Sequence, residues 1–150
     1  MVHNPLPPAQ ALPRMRELLD RGRVCRLTVT GRSMYPFLRD TRDAVTLAKP
    51  DGPFRRGDIL FYLRSPDFPI LHRVHRVLPD GTLLLCGDAQ RVMERVAPPQ
   101  VMARVTHIVR DERIIPCTDR GYRLLVSLWM ALFPLRRYIL GVMRRLSRNR

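Results

Sequence analysis

Lysine is almost missing from this chain: of 27 basic residues only Lys49 is a lysine, and the rest are arginine. Any chemistry that needs a neutral amine as base therefore has one candidate. Acidic residues are also scarce, 13 in all, so the net charge is +14 and the partners it attracts are anionic, either nucleic acid or an acidic lipid surface. The three cysteines, Cys25, Cys86 and Cys117, are odd in number, far apart and in no CxxC or Cys/His spacing. That excludes a disulfide scaffold and a zinc ribbon, and they read as small core hydrophobes. Long apolar runs are lacking too. The uncharged run 124–135 has 12 residues, short of the roughly 18–20 that a spanning helix needs. The N-terminus, MVHNPLPPAQALPRMRELLDRGR, has no continuous apolar core of the secretory-signal kind, so the chain is expected in the cytoplasm or peripherally at a membrane.

What is present points to a β-rich body of one domain with tails. The 150 residues are 45% apolar, and the apolar residues fall in short blocks broken by 14 prolines and 8 glycines. Residues 1–9 are proline-rich and read as irregular. Leu12, Met15, Leu18 and Leu19 follow at helical spacing, which predicts a short helix over 11–21. In VCRLTVT, 24–30, Cys25, Leu27 and Val29 alternate with polar positions in the period of a strand. Further strands are predicted at 43–48, 58–64, 70–78, 82–86, 101–109 and 113–117, between turn signals such as PDGP, SPDFP and PDG. From about residue 121 the pattern changes: Leu125, Leu128, Leu132, Leu135, Ile139, Val142 and Leu146 form one helical stripe, and 120–150 hold eight arginines and no acid. This predicts a basic amphipathic helix over 122–147, packed on the domain or lying on an anionic membrane surface. Nucleic acid is the weaker reading, because aliphatics rather than stacking aromatics interleave the arginines. The chain thus divides into 1–23, a tail with a short helix; 24–120, a β domain; and 121–150, the basic helix.

Ser33, in GRSMYPFL, follows Gly31 and precedes Pro36, which suits an exposed hydroxyl at a strand end. A serine hydroxyl attacks only when a base takes its proton. The candidate bases are Lys49 and the histidines at 3, 72, 75 and 107; His3 lies in the tail. Alternation along ILHRVHRVL puts His72 and His75 on opposite faces, so only one is expected to look inward, and His72 follows the apolar pair Ile70 and Leu71. Downstream, Asp88 and Glu94 are carboxylates able to orient an imidazole. Taken alone, a Gly-Asp after a strand is also an ordinary turn.

Five blocks in order, GRSMYPFLRD at 31–40, RRGDILFY at 55–62, LHRVHRV at 71–77, CGDAQ at 86–90 and VMARVTHI at 101–108, resemble the signal-peptidase and LexA-like serine peptidase superfamily. Its histidine-base branch, of endoplasmic-reticulum and archaeal type, is the nearer, since His72 stands in its H-R-V strand and Lys49 reads as a surface residue. The resemblance implies a LexA-like, signal-peptidase-like β-rich catalytic domain in which Ser33 attacks a peptide carbonyl, His72 carries the proton, and Asp88 or Glu94 is the third member. It also implies an oxyanion held partly by the Ser33 N–H, substrate contacts around Ser33, Met34 and Pro36, and a peptide or pre-protein substrate bound as an added strand. No metal or organic cofactor is implied.

Glu94 stands where relatives have an aspartate, and the N-terminal anchor usual in relatives that process exported proteins is not seen. A non-catalytic, LexA-like regulatory or peptide-binding module is the competing reading. Self-cleaving repression is disfavoured, since residues 1–32 contain neither Ala-Gly nor Cys-Gly and are too few for a winged DNA-binding domain.

Overall fold

The computed structural model describes residues 8–149. The chain is mainly β, built on one antiparallel sheet of eight strands with helices at either end of the sequence. Helix α1 (Pro8–Asp20) comes first, starting earlier than the periodicity predicts; the rest of the 1–9 tail, with His3, lies outside the described residues. The strands are β1 (Cys25–Thr28), β2 (Ala44–Ala48), β3 (Ile59–Ser65), β4 (Phe68–Val77), β5 (Leu83–Cys86), β6 (Glu94–Val96), β7 (Val101–Arg110) and β8 (Arg113–Pro116). Seven of them match the strands predicted from alternation and turn signals to within two residues at each end. The three-residue β6 was not predicted, because a segment so short shows no period.

The strands are ordered β1-β2-β7-β3-β4-β5-β6, and β8 pairs with β7. Ten-residue β7 is the hub: residues 104–109 pair with β2, 101–104 with β3, and 107–110 with β8. The β4–β5 turn uses Gly81 at φ 86°, and the β7–β8 hairpin turns through Asp111 and Glu112, both at positive φ. Strand β3 is buried on both faces. Ile59 and Phe61 join a core with Leu12, Leu19, Met34, Leu38 and Val45, whereas Leu60 and Tyr62 join a second with Val74, Leu83, Leu85 and Val96. Of the cysteines, Cys86 is buried and Cys25 and Cys117 are partly so, all three as free thiols. Burial pushes the Cys86 and Cys117 thiols up to about 11, so they pack as apolar groups.

The C-terminal segment corrects the prediction of one continuous helix. Helix α2 (Arg120–Ala131), capped by the Asp119 carboxylate on the Tyr122 N–H at 2.8 Å, ends in a short 3-10 turn at Phe133–Leu135, and α3 (Arg136–Arg148) leaves at 65°. Pro134 lies at the break, where its missing N–H ends the hydrogen-bond ladder. Among the described residues no single helix is long and apolar enough to cross a membrane; only the bent pair together has the length and composition.

Candidate functional site

Ser33 lies in a compact turn that β1 feeds. Gly31 at φ 88° reverses the chain, its N–H donating to Asp40 Oδ1 at 2.9 Å, and the N–H of Leu38 donates to the Met34 carbonyl at 2.9 Å. Met34 and Leu38 are buried in the first core, which pins the turn and leaves Ser33 half-buried at its rim. At the far end Asp43, buried, accepts from Arg39 and Arg110, and Arg110 also donates to the Phe37 carbonyl at 2.6 Å. Burial alone would raise the Asp43 carboxyl, but these hydrogen bonds outweigh it and hold it at about 2.

A second contact joins this turn to the segment after β5. The Ala89 N–H donates to the Ser33 carbonyl at 2.8 Å, and Gly87 packs so closely that a Cβ there would lie 2.5 Å from the same oxygen. Because Arg73 pairs with Cys86 and Val74 with Leu85, the antiparallel register sets His72 level with Gly87. Ser33 and His72 thus flank one glycine. Among the described residues Ser33 Oγ makes no hydrogen bond to His72, and the Ser33 N–H has no acceptor.

His72 is buried, opposite Leu60 on β3. Its Nδ1 lies 3.3 Å from Tyr62 Oη, and Tyr62 Oη donates to Glu94 Oε2 at 2.7 Å. Since the phenol proton goes to the carboxylate, the Tyr62 oxygen can only accept from His72, which puts the imidazole proton on Nδ1 and leaves the Nε2 lone pair free. Arg64 forks onto Glu94 at 2.8 and 2.7 Å and, with burial opposing, holds its carboxyl below the usual range. Burial lowers the His72 pKa, partly offset by the charge of Glu94, so the ring is neutral at physiological pH. His72, Arg64 and Glu94 line a cleft of about 690 Å³ with residues 89–93 and, across it, Arg137, Leu140 and Arg144 of α3. Ser33 is not part of its lining.

The other carboxylate has a different partner. Asp88 accepts from Arg73 Nε at 2.9 Å and Nη2 at 2.8 Å, both side chains fully buried. Arg73 also donates to the Gly57 carbonyl at 2.8 Å and Tyr122 Oη at 3.1 Å, with its guanidinium 4.9 Å from the Phe37 ring centroid. Burial opposes the charge, but Asp88 keeps it protonated. The C-terminal helices close over this pair: Trp129 Nε1 donates to the Asp88 carbonyl at 3.0 Å, and buried Arg136 donates to the Gln90 carbonyl at 2.9 Å.

The prediction that only one of His72 and His75 looks inward is therefore corrected. His72, Arg73 and Val74 are all buried, and His75 is half-buried with its Nε2 enclosed beside Phe133, because α2 and α3 cover the face left to solvent in a period-two reading. Of the remaining candidates, Lys49 is exposed and pairs with Asp20 at 3.1 Å, Met34 is core, and Pro36, after a cis peptide bond, borders a separate cleft with Phe37 and Tyr122. His107 is half-buried, its Nδ1 3.0 Å from Thr106 Oγ1. Sequence reasoning missed Tyr62, Arg64, Arg73 and Arg136. A signal existed for the first two: Leu60, Tyr62 and Arg64 share one face of β3, which pairs with the strand of His72. No family model matches the chain, and no curated protein matches it.

Proposed function

We propose that the protein is a serine endopeptidase of the signal-peptidase-like kind, cutting a leader, signal or pro-peptide through an acyl-enzyme. In this reading Ser33 Oγ attacks the scissile carbonyl and His72 Nε2 takes its proton, returning it to the departing amine. The Ser33 N–H, without an acceptor among the described residues, receives the oxyanion. Water then repeats the sequence on the ester. Of the two carboxylates, Glu94 acts through Tyr62 to hold the imidazole, and Asp88 fixes the segment against which Ser33 rests.

The observation that carries this reading is the His72–Tyr62–Glu94 chain, which leaves a neutral, correctly tautomerised imidazole one glycine away from a serine turn. The hydrogen bond from Ser33 to His72 forms as the peptide engages, as catalytic contacts often tighten only with substrate in place. Strand β1 pairs only with β2 among the described residues, so a peptide added along its other edge runs toward Ser33.

Labelling by a fluorophosphonate, which phosphonylates activated serines with loss of fluoride, tests the reading. Wild type should react; Ser33→Ala should lose labelling, His72→Ala should slow it at least ~100-fold, and Tyr62→Phe about tenfold or more. Equal labelling of all four would leave the non-catalytic, peptide-binding module as the function.

A further inference from the structure

The apolar stripe that marks the C-terminal segment in the sequence is not the one that packs on the domain. Helix α2 buries Val126, Trp129 and Met130 and holds Leu124, Leu125 and Leu128 outward, with Leu132 exposed just past its end. Helix α3 buries Arg136 and Leu140 and leaves Val142 and Leu146 outward, with Leu135 at the bend linking the two rows. These leucines and the valine are 38–65% exposed. Successive aliphatic side chains left in water over two helices are more than the scattered exposure of an ordinary surface.

We infer that the exposed face of α2 and α3 docks on the surface of an anionic lipid bilayer. The charge beside it selects this occupant. Residues 120–149 contain no acid, and Arg123, Arg137, Arg144, Arg145 and Arg148 are exposed along the same two helices. A second copy of a chain with net charge +14 would bring like-charged arginines together, whereas acidic headgroups neutralise them.

Geometry selects lying over crossing. The helices bend by 65°, and both are tied to the domain, through Trp129 to the Asp88 carbonyl and through Arg136 to the Gln90 carbonyl. Spanning would tear out the buried guanidinium of Arg136, which stacks 5.2 Å from the Trp129 ring centroid and 4.8 Å from that of Phe133. Lying in the interface needs no such change: aliphatics enter the acyl boundary and arginines reach the headgroups. Docking also sets the cleft of His72 and Glu94, walled by Arg137 and Arg144, at the headgroup layer. The proposal itself does not depend on the peptidase reading.

Co-sedimentation of the full chain with phosphatidylcholine vesicles, neutral or containing about one-third phosphatidylserine, tests it. Binding should be at least ~10-fold stronger on the anionic vesicles. Leu124→Ser with Leu128→Ser should weaken it about tenfold, and Arg144→Gln with Arg145→Gln by a similar factor. All four positions are exposed, so circular dichroism of the variants should match wild type. Equal binding to both vesicles, or unchanged binding by the leucine variant, would overturn the inference. So would a concentration-dependent dimer that the leucine variant abolishes while vesicles bind neither form, which would assign the face to a second copy.

Discussion

Replacing Asp88 by alanine separates the two carboxylates by their physical roles. The pair with Arg73 is wholly buried, and removing the acid strands a guanidinium whose Nε and Nη2 then have no carboxylate to meet. Breaking one side of such a pair costs about 3–5 kcal/mol, because the remaining charge is neither solvated nor compensated. For a chain of this size that lowers the melting temperature by roughly 6–20 °C. Adding Arg73→Met should restore more than half of the loss, since Met fills much of the stem volume and removes the stranded charge; the hydrogen bonds to Gly57 and Tyr122 stay lost. Thermal unfolding followed by circular dichroism gives the stability of the single and double variants. Fluorophosphonate labelling well below the transition tells whether Asp88 also acts on His72. If Asp88→Ala melted within a degree or two of wild type and yet lost labelling, Asp88 would be the partner of the imidazole, and the assignment of Glu94 through Tyr62 would be refuted.

Gly87→Ala places a methyl group 2.5 Å from the Ser33 carbonyl and 3.1 Å from Gln90 Oε1, so it should cost about 1–3 kcal/mol and slow Ser33 labelling; unchanged melting and labelling would refute the close approach. His75 gives a pH test. Burial first, then the neighbouring Arg136, lower its pKa to about 4 from an ordinary 6.5, so as pH falls from about 6.5 to 4 the unfolded chain takes up a proton that the folded chain refuses. Stability should therefore decline by about 2–3 kcal/mol over that window, and His75→Phe should flatten that part of the profile in urea melts at stepped pH; a parallel decline in the variant would assign it to other groups. Burial depresses His72 in the same direction, which is why the difference between the two proteins, and not the wild-type curve, carries the test.

The β-rich body was legible in the sequence because the signals of a strand are local. VCRLTVT announces its strand by alternation, DILFYLR and VMARVTHIV by short apolar and β-branched blocks between turns, and their pairing into one sheet follows the usual economy of antiparallel neighbours. The basic, leucine-striped end was equally plain from helical spacing, whereas its break at Phe133–Leu135 was not, because the apolar stripe runs on through it without a change of period. Ser33, His72, Asp88 and Glu94 stood out as candidates through residue type and order.

Which of these groups touch was decided only by the tertiary structure. Arg73 and Asp88 are 15 residues apart, and Tyr62 and Glu94 are 32 apart. No local pattern states that an arginine in a strand between two histidines is buried, because that depends on helices from residues 120–148 covering the strand's other face. The same packing chose which side of α2 and α3 turns inward: a helical stripe says that one face is apolar, but here Val126, Trp129 and Met130 filled the core and left the longer leucine row outside. Periodicity records an element's own faces, whereas the choice between faces is set by the shape and charge of whatever packs against it.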